Sequence, residues 1–218
     1  MDLIAHRGFA AEAAENTVEA VRRAGELADA VEVDVRRCAS GELVVVHDPT
    51  VDRVTDAAGR VSDLSFAELR ALDVLGSGEG VPSLAAVLEA VPDGTRANIE
   101  LKERGLAADA LAAAEAAGTD LLVSAFDPVV LQEVAAVDPD VPTAYLCTRR
   151  DDAPVAIADR LDCDALHPSF PLCVVTRIVA RAHDGGLDVN AWTVKRRAVA
   201  RLLDVCGVDG VIADRAVR

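Results

Sequence analysis

The chain has 218 residues, about half of them apolar but only 3% aromatic, and carries a net charge of −15 from 22 basic and 37 acidic side chains. That length suits one well-buried domain, and the negative excess argues against nucleic acid as a partner and against stable association with anionic membranes, both being polyanions. No apolar run approaches the roughly 18 residues of a membrane span, and no basic leader opens the chain, so a cytoplasmic location is expected. Abundant Asp beside only two lysines, Lys102 and Lys195, suits a salt-rich, halophilic cytoplasm in which ions screen surface repulsion.

The first apolar run, DLIA at 2–5, stops at His6, Arg7 and Gly8. The Asn16-Thr17-Val18-Glu19 stretch has the layout of a capping box with Asn16 as N-cap, opening a helix over 17–29, and Glu15 can brace the loop that carries Arg7. VEVDV at 31–35 is the second strand, with Glu32 and Asp34 on one face and the valines on the other. A turn centred on Ser40-Gly41 then returns the chain as LVVVH, 43–47. A hairpin so centred pairs position 34 with position 47 and brings His47 level with Asp34. Residues 49–82 are rich in turn formers, with one short helix near 65–72, and are expected to form a small cap inserted above the fold.

Beyond the cap, strands at 97–101, 121–125, 143–147, 163–167, 188–194 and 209–213 alternate with helices at 83–91, 106–117, 128–137, 153–160, 174–185 and 196–206. Such alternation means parallel strands joined by crossover helices, and eight of them predict an α/β fold, a closed (β/α)8 TIM barrel. A doubly wound open sheet is the competitor, but no Gly-x-Gly-x-x-Gly turn follows the first strand. One domain over residues 1–218 with one insert is expected. The five cysteines are widely spaced with no Cys-x-x-Cys pair, a pattern of reduced, buried thiols rather than of disulfides or a zinc site.

Chemistry in this fold sits at the C-terminal ends of the strands. Those ends offer His6 and Arg7, Glu32 and Asp34, Glu100 and Lys102, then Ser124, His167, Trp192 and Asp214. Three carboxylates facing one another across a barrel mouth repel unless a cation is bound or Arg7 and Lys102 bridge them. Oxygen-only ligands suit a hard divalent cation, Mg²⁺ or Ca²⁺. Two histidines and an Arg-Lys pair beside it describe a site for phosphate chemistry. His183 reads as a surface residue, His167 either lines the pocket or turns the chain, Trp192 is half core and half wall, and Asp214 orients its neighbours rather than ligating.

The segments IAHRG, ENT, VEVDV, VVVHDPTVDRVTD, VPSL, NIELK, NAWTV and GVDGVIAD, in this order and spacing, resemble the glycerophosphodiester phosphodiesterases, a family of phospholipase C-like phosphodiesterase barrels. The resemblance spans essentially the whole chain. It implies a TIM barrel with a small cap and a divalent-cation-dependent cleavage of glycerophosphodiesters to glycerol phosphate and an alcohol. It implies that His6 and His47 are the acid-base pair, that Glu32, Asp34 and Glu100 hold the metal, and that Arg7 and Lys102 hold the phosphate. Phe126 and Trp192 then line the glycerol side. Ala14, Lys195 and Ala213 stand where the family usually has proline, asparagine and threonine, which bears on substrate preference. An enzyme acting on intact lipid, or an inactive protein that binds metal or phosphate, are the alternatives.

Overall fold

The computed structural model describes residues 1–149 and 151–217. Among them, eight parallel strands close into a barrel: β1 (Asp2–His6), β2 (Ala30–Arg37), β4 (Arg96–Leu101), β5 (Leu121–Ala125), β6 (Thr143–Cys147), β7 (Ala165–Pro168), β8 (Asp188–Val194) and β9 (Gly210–Ala213). Each pairs with the next, and β9 pairs with β1 to shut the ring. The short strand β3 (Leu43–Val45) hangs antiparallel on β2, outside the ring. The closed sheet therefore matches the predicted TIM barrel and rules out the open doubly wound sheet.

Strand alternation sorts the residues. Val31, Val33 and Val35 point outward into the main apolar core beneath the helices, where each is almost wholly buried, contributing about 1.5–3 kcal/mol by burial. Glu32 and Asp34 point the other way, into the barrel. Helix α1 (Val18–Gly25) covers β2 with Ala20, Val21 and Ala24. Helices α3 (Leu84–Leu88), α4 (Ala107–Ala117), α5 (Pro128–Val137), α6 (Pro154–Arg160), α7 (Phe170–Val175), α8 (Ile178–Asp184) and α9 (Arg197–Val205) complete the shell, and α2 (Phe66–Leu69) lies in the insert. Gly118 ends α4 in a left-handed conformation at φ 64°, and Asp127 caps α5 by accepting from the Val129 amide at 3.0 Å, with Pro128 in the first turn. No helix among the described residues is long and apolar enough to cross a membrane. All five cysteines are free thiols, four of them buried.

Three expectations need correction. The helix expected over 174–185 is two helices, α7 and α8, because Thr176 turns to extended backbone and accepts the Ile178 amide at 3.1 Å. The cap of α1 is Thr17, whose hydroxyl accepts the Ala20 amide at 3.3 Å, and not Asn16. The hairpin pairs Val35 with Val45 and Arg36 with Val44, one residue out of the expected register. A three-residue loop, ending in Gly41 at φ 101°, replaces the two-residue turn, and Val46 rather than His47 donates to the Asp34 carbonyl, at 2.9 Å.

The excursion after β3 gathers its own apolar cluster, in which Val51, Val54, Val61, Leu69 and Val74 pack on Val44 and Val46 of the hairpin. The predicted short helix here is a 3-10 turn at Val61–Asp63 followed by α2, which carries a complete capping box between Ser65 and Glu68.

Candidate active site

At the end of β1 the chain passes through three left-handed residues, Arg7 (φ 51°), Gly8 (φ 73°) and Phe9 (φ 64°). Gly8 is required there because a Cβ would lie 2.8 Å from the Ala20 carbonyl carbon, and its left-handed backbone is adopted by glycine at least cost. This sharp turn exposes the Arg7 amide, which donates to Glu32 Oε2 at 2.9 Å. The Arg7 guanidinium spans Glu15, at 3.0 Å from NH1, and Asp34, at 3.1 Å from Nε, the latter an ion pair off the hydrogen-bonding direction. Burial opposes its charge, but Asp34, Glu32 and Glu15 outweigh it and raise its pKa further.

Registered strands set Glu32, Asp34 and Glu100 together. Asp34 lies directly beside Glu100 in the β2–β4 ladder, and all three carboxyls are buried with ligand oxygens within 4.8 Å of one another. Glu32 Oε1 and Asp34 Oδ1 have no hydrogen-bond partner. Burial, then the charges of Asp34 and Glu100, push the Glu32 carboxyl well above the ordinary range. Burial and Asp34 also raise Glu100. Burial works against Asp34 too, yet Lys102 and Arg7 hold it below its ordinary value. Lys102 Nζ contacts Glu100 Oε1 and sits 3.2 Å from Asp34 Oδ1. One lysine and one arginine thus bridge part of the cluster and leave Glu32 Oε1 bare, with Asp34 Oδ1 held only by the lysine's charge. That donor set fits a hard divalent cation, and this is the one such group of carboxylates among the described residues.

The two histidines approach from the end of β1 and from the bend after β3, each facing a carboxylate. His6 Nδ1 lies 2.6 Å from Asp214 Oδ1, at the end of β9, and His47 Nδ1 lies 2.6 Å from Asp48 Oδ1. With Nδ1–H donated to oxygen, the neutral ring keeps its lone pair on Nε2. Burial lowers the His47 pKa, partly offset by Asp34.

These groups surround a cavity of about 230 Å³, walled on its far side by Phe126 and Trp192. The two rings meet edge to face with centroids 5.5 Å apart. Trp192 is fixed by its indole N–H, which donates to the His167 carbonyl at 2.7 Å. The His167 ring itself lies outside this cavity, fully buried lower in the barrel, with Nε2 3.0 Å from the Asn190 amide and its pKa pushed down to about 3 by burial. His183 stays on the surface beside Asp209, at 2.8 Å. Lys195 sits mostly exposed at the rim, 3.2 Å from Asp214.

Four contributors were not placed in the site from the sequence. Asn98 lines the floor one ladder step below Glu100, and its shared strand face signals it. Asn16, held at φ 60°, donates its side-chain amide to Asp34 Oδ2 at 2.9 Å. Asp48 and Arg53 sit inside the quoted VVVHDPTVDRVTD segment, where no spacing rule marks them.

The sequence profile described as the glycerophosphoryl diester phosphodiesterase family matches residues 6–218. A glycerophosphodiester phosphodiesterase of Caldanaerobacter subterraneus subsp. tengcongensis is 33% identical, over 97% of this chain and 93% of its own. The structure of an Oleispira antarctica phosphodiesterase, in complex with the product sn-glycerol-3-phosphate, superposes with a TM-score of 0.89 at 28% identity, over 100% of this chain and 94% of its own. A glycerophosphodiester phosphodiesterase from Thermotoga maritima gives 0.86 at 28% identity, over 100% and 95%.

Proposed function

The chain belongs to the glycerophosphoryl diester phosphodiesterase family, and from that premise we propose that it is a divalent-cation-dependent hydrolase. It cleaves glycerophosphodiesters to glycerol phosphate and an alcohol, with His6 and His47 as acid-base pair. One observation carries this reading: buried, partly unpartnered carboxylates of Glu32, Asp34 and Glu100 gathered beside two histidines whose Nδ1 atoms each face a carboxylate.

Glu32, Asp34 and Glu100 would hold the cation, Mg²⁺ or Ca²⁺, which when bound would supply Lewis-acid neutralisation of the phosphodiester charge. Arg7 and Lys102 add fixed positive charge where the phosphoryl oxygens gain negative charge in the transition state. His47, kept neutral by burial, accepts the proton of the attacking oxygen through Nε2. His6 donates a proton to the departing alkoxide, and the Asp214 carboxylate against Nδ1 offsets the ring's charge while it holds that proton. Phe126 and Trp192 take the glycerol carbons. Residues 49–82 act as a cap within a single domain and face the alcohol half of the substrate.

The test is release of glycerol phosphate from glycerophosphocholine and glycerophosphoethanolamine, with EDTA or with added Mg²⁺ or Ca²⁺, and from intact lipid vesicles in parallel. Turnover of the soluble diesters should require metal and fall about 10²–10⁴-fold in His6→Ala and in His47→Ala. Metal-independent turnover, release from vesicles alone, or losses under tenfold in both variants would overturn the reading.

A further inference from the structure

Arg53 lies in the excursion beyond β3, outside the barrel, yet each of its three guanidinium nitrogens donates to a carboxylate. Nε donates to Asp48 Oδ2 at 2.5 Å, while NH1 and NH2 form a two-pronged contact with Glu15 Oε2 and Oε1 at 2.9 and 2.7 Å. Each acceptor is also committed to a residue of the proposed machinery. Asp48 uses its other oxygen on His47 Nδ1, at 2.6 Å, and Glu15 Oε1 also accepts from Arg7 NH1, at 3.0 Å. A continuous chain therefore runs His47–Asp48–Arg53–Glu15–Arg7–Asp34.

The backbone beneath Arg53 is anchored. Val51 and Val54 on either side are almost wholly buried in the cap cluster, and the Val51 carbonyl accepts from the Thr55 amide and hydroxyl, both at 3.0 Å. The side chain is about half exposed, so its ion pairs add little to stability. A planar fork that meets two carboxylates at once fixes their geometry, which an ammonium cannot do.

We infer that Arg53 is a positioning residue. By clamping Asp48 it sets the orientation of the His47 ring, and by clamping Glu15 it ties that ring to the arginine that holds the phosphate. This rests on the acid-base reading of His47 given above.

The test is a double-substitution cycle on the intact enzyme. Arg53→Met should lower kcat about 10–100-fold, the range typical of lost orienting partners, with KM changed less than threefold. Arg53→Lys should recover only a minor part, since charge returns without the fork. Arg22→Met, which removes the same charge from an exposed pair with Glu19, should leave kcat unchanged. In the His47→Ala background, Arg53→Met should change kcat less than twofold, because the group it positions is gone. An equal fold-loss in both backgrounds, or full kcat in either Arg53 variant, overturns the inference. A loss under tenfold in the single variant His47→Ala removes the His47 role on which the inference rests, so the two failures are distinguishable.

Discussion

His6 and Asp214 join the first barrel strand to the last: Nδ1 and Oδ1 lie 2.6 Å apart across 208 residues of sequence. Barrel closure by the β1–β9 ladder is what brings them together. Asp214→Asn keeps the shape but can present an amide N–H to Nδ1, which favours the tautomer with its proton on Nε2. The expected result is a kcat reduced about 10–100-fold with KM little changed, measured by steady-state kinetics on a soluble glycerophosphodiester. Wild-type kcat in a folded Asp214→Asn would remove Asp214 from the mechanism.

Asn16 serves Asp34 twice, through its amide and through a left-handed backbone. Asn16→Gly keeps the conformation and loses the hydrogen bond. Asn16→Ala loses both, and should be less stable than Asn16→Gly by about 1 kcal/mol in denaturant unfolding. Both should weaken cation binding to a similar extent, since the Asp34 carboxylate loses the same partner. Equal stability of the two variants would show that the backbone carries no strain.

Cation binding should release protons. Glu32 and Glu100 are raised by burial, so without metal they retain protons that an aqueous carboxylate has already lost. A metal must displace them, and affinity therefore tightens as pH rises through the raised Glu32 value. Calorimetric titration in two buffers of different ionisation enthalpy, at mildly acidic pH, should give different heats, converging as pH rises. Identical heats throughout would mean the cluster is already ionised.

His167 makes the fold acid-sensitive. Its pKa is about 3 in the folded state against about 6.5 unfolded, so both states are neutral above the latter value. As pH falls between the two, the unfolded chain takes up the proton first, and stability drops by up to about 1.4 kcal/mol per pH unit. His167→Asn should flatten the pH dependence of the unfolding midpoint over that window. An unchanged slope would show that the ring protonates inside the barrel.

Much of this was legible because strand periodicity reports on faces. Glu32-x-Asp34 and Glu100-x-Lys102 each share a face, and parallel strands place those faces side by side, so the cluster follows from spacing alone. The ring strands fell within one or two residues of expectation, while helices α1 and α3 end earlier than expected, at Gly25 rather than 29 and at Leu88 rather than 91. Thr176 broke a helix that apolar content favoured, and Gly41 added a residue to a turn. Asn16 was read as a helix cap because short-range rules describe its neighbours, whereas its partner, Asp34, is 18 residues away. Asp48 and Arg53 escaped for the same reason: an ion-pair chain has no sequence period. His167 pointed to no role because an isolated histidine in a strand looks the same whether it faces a pocket or a closed interior.

The excursion that carries Arg53 leaves and rejoins the chain at one place. Val44 bridges to Ser83, and the Val45 amide donates to the Pro82 carbonyl at 2.9 Å. Because its two ends are stitched together, a change in its length adds only the slowly growing entropy of a longer closed loop and leaves the eight ring strands in register. Drift in the length of this segment can therefore be absorbed while the carboxylates on β2 and β4 stay in place. Arg53 pins one point of the segment, since its guanidinium ties it to Glu15 and Asp48.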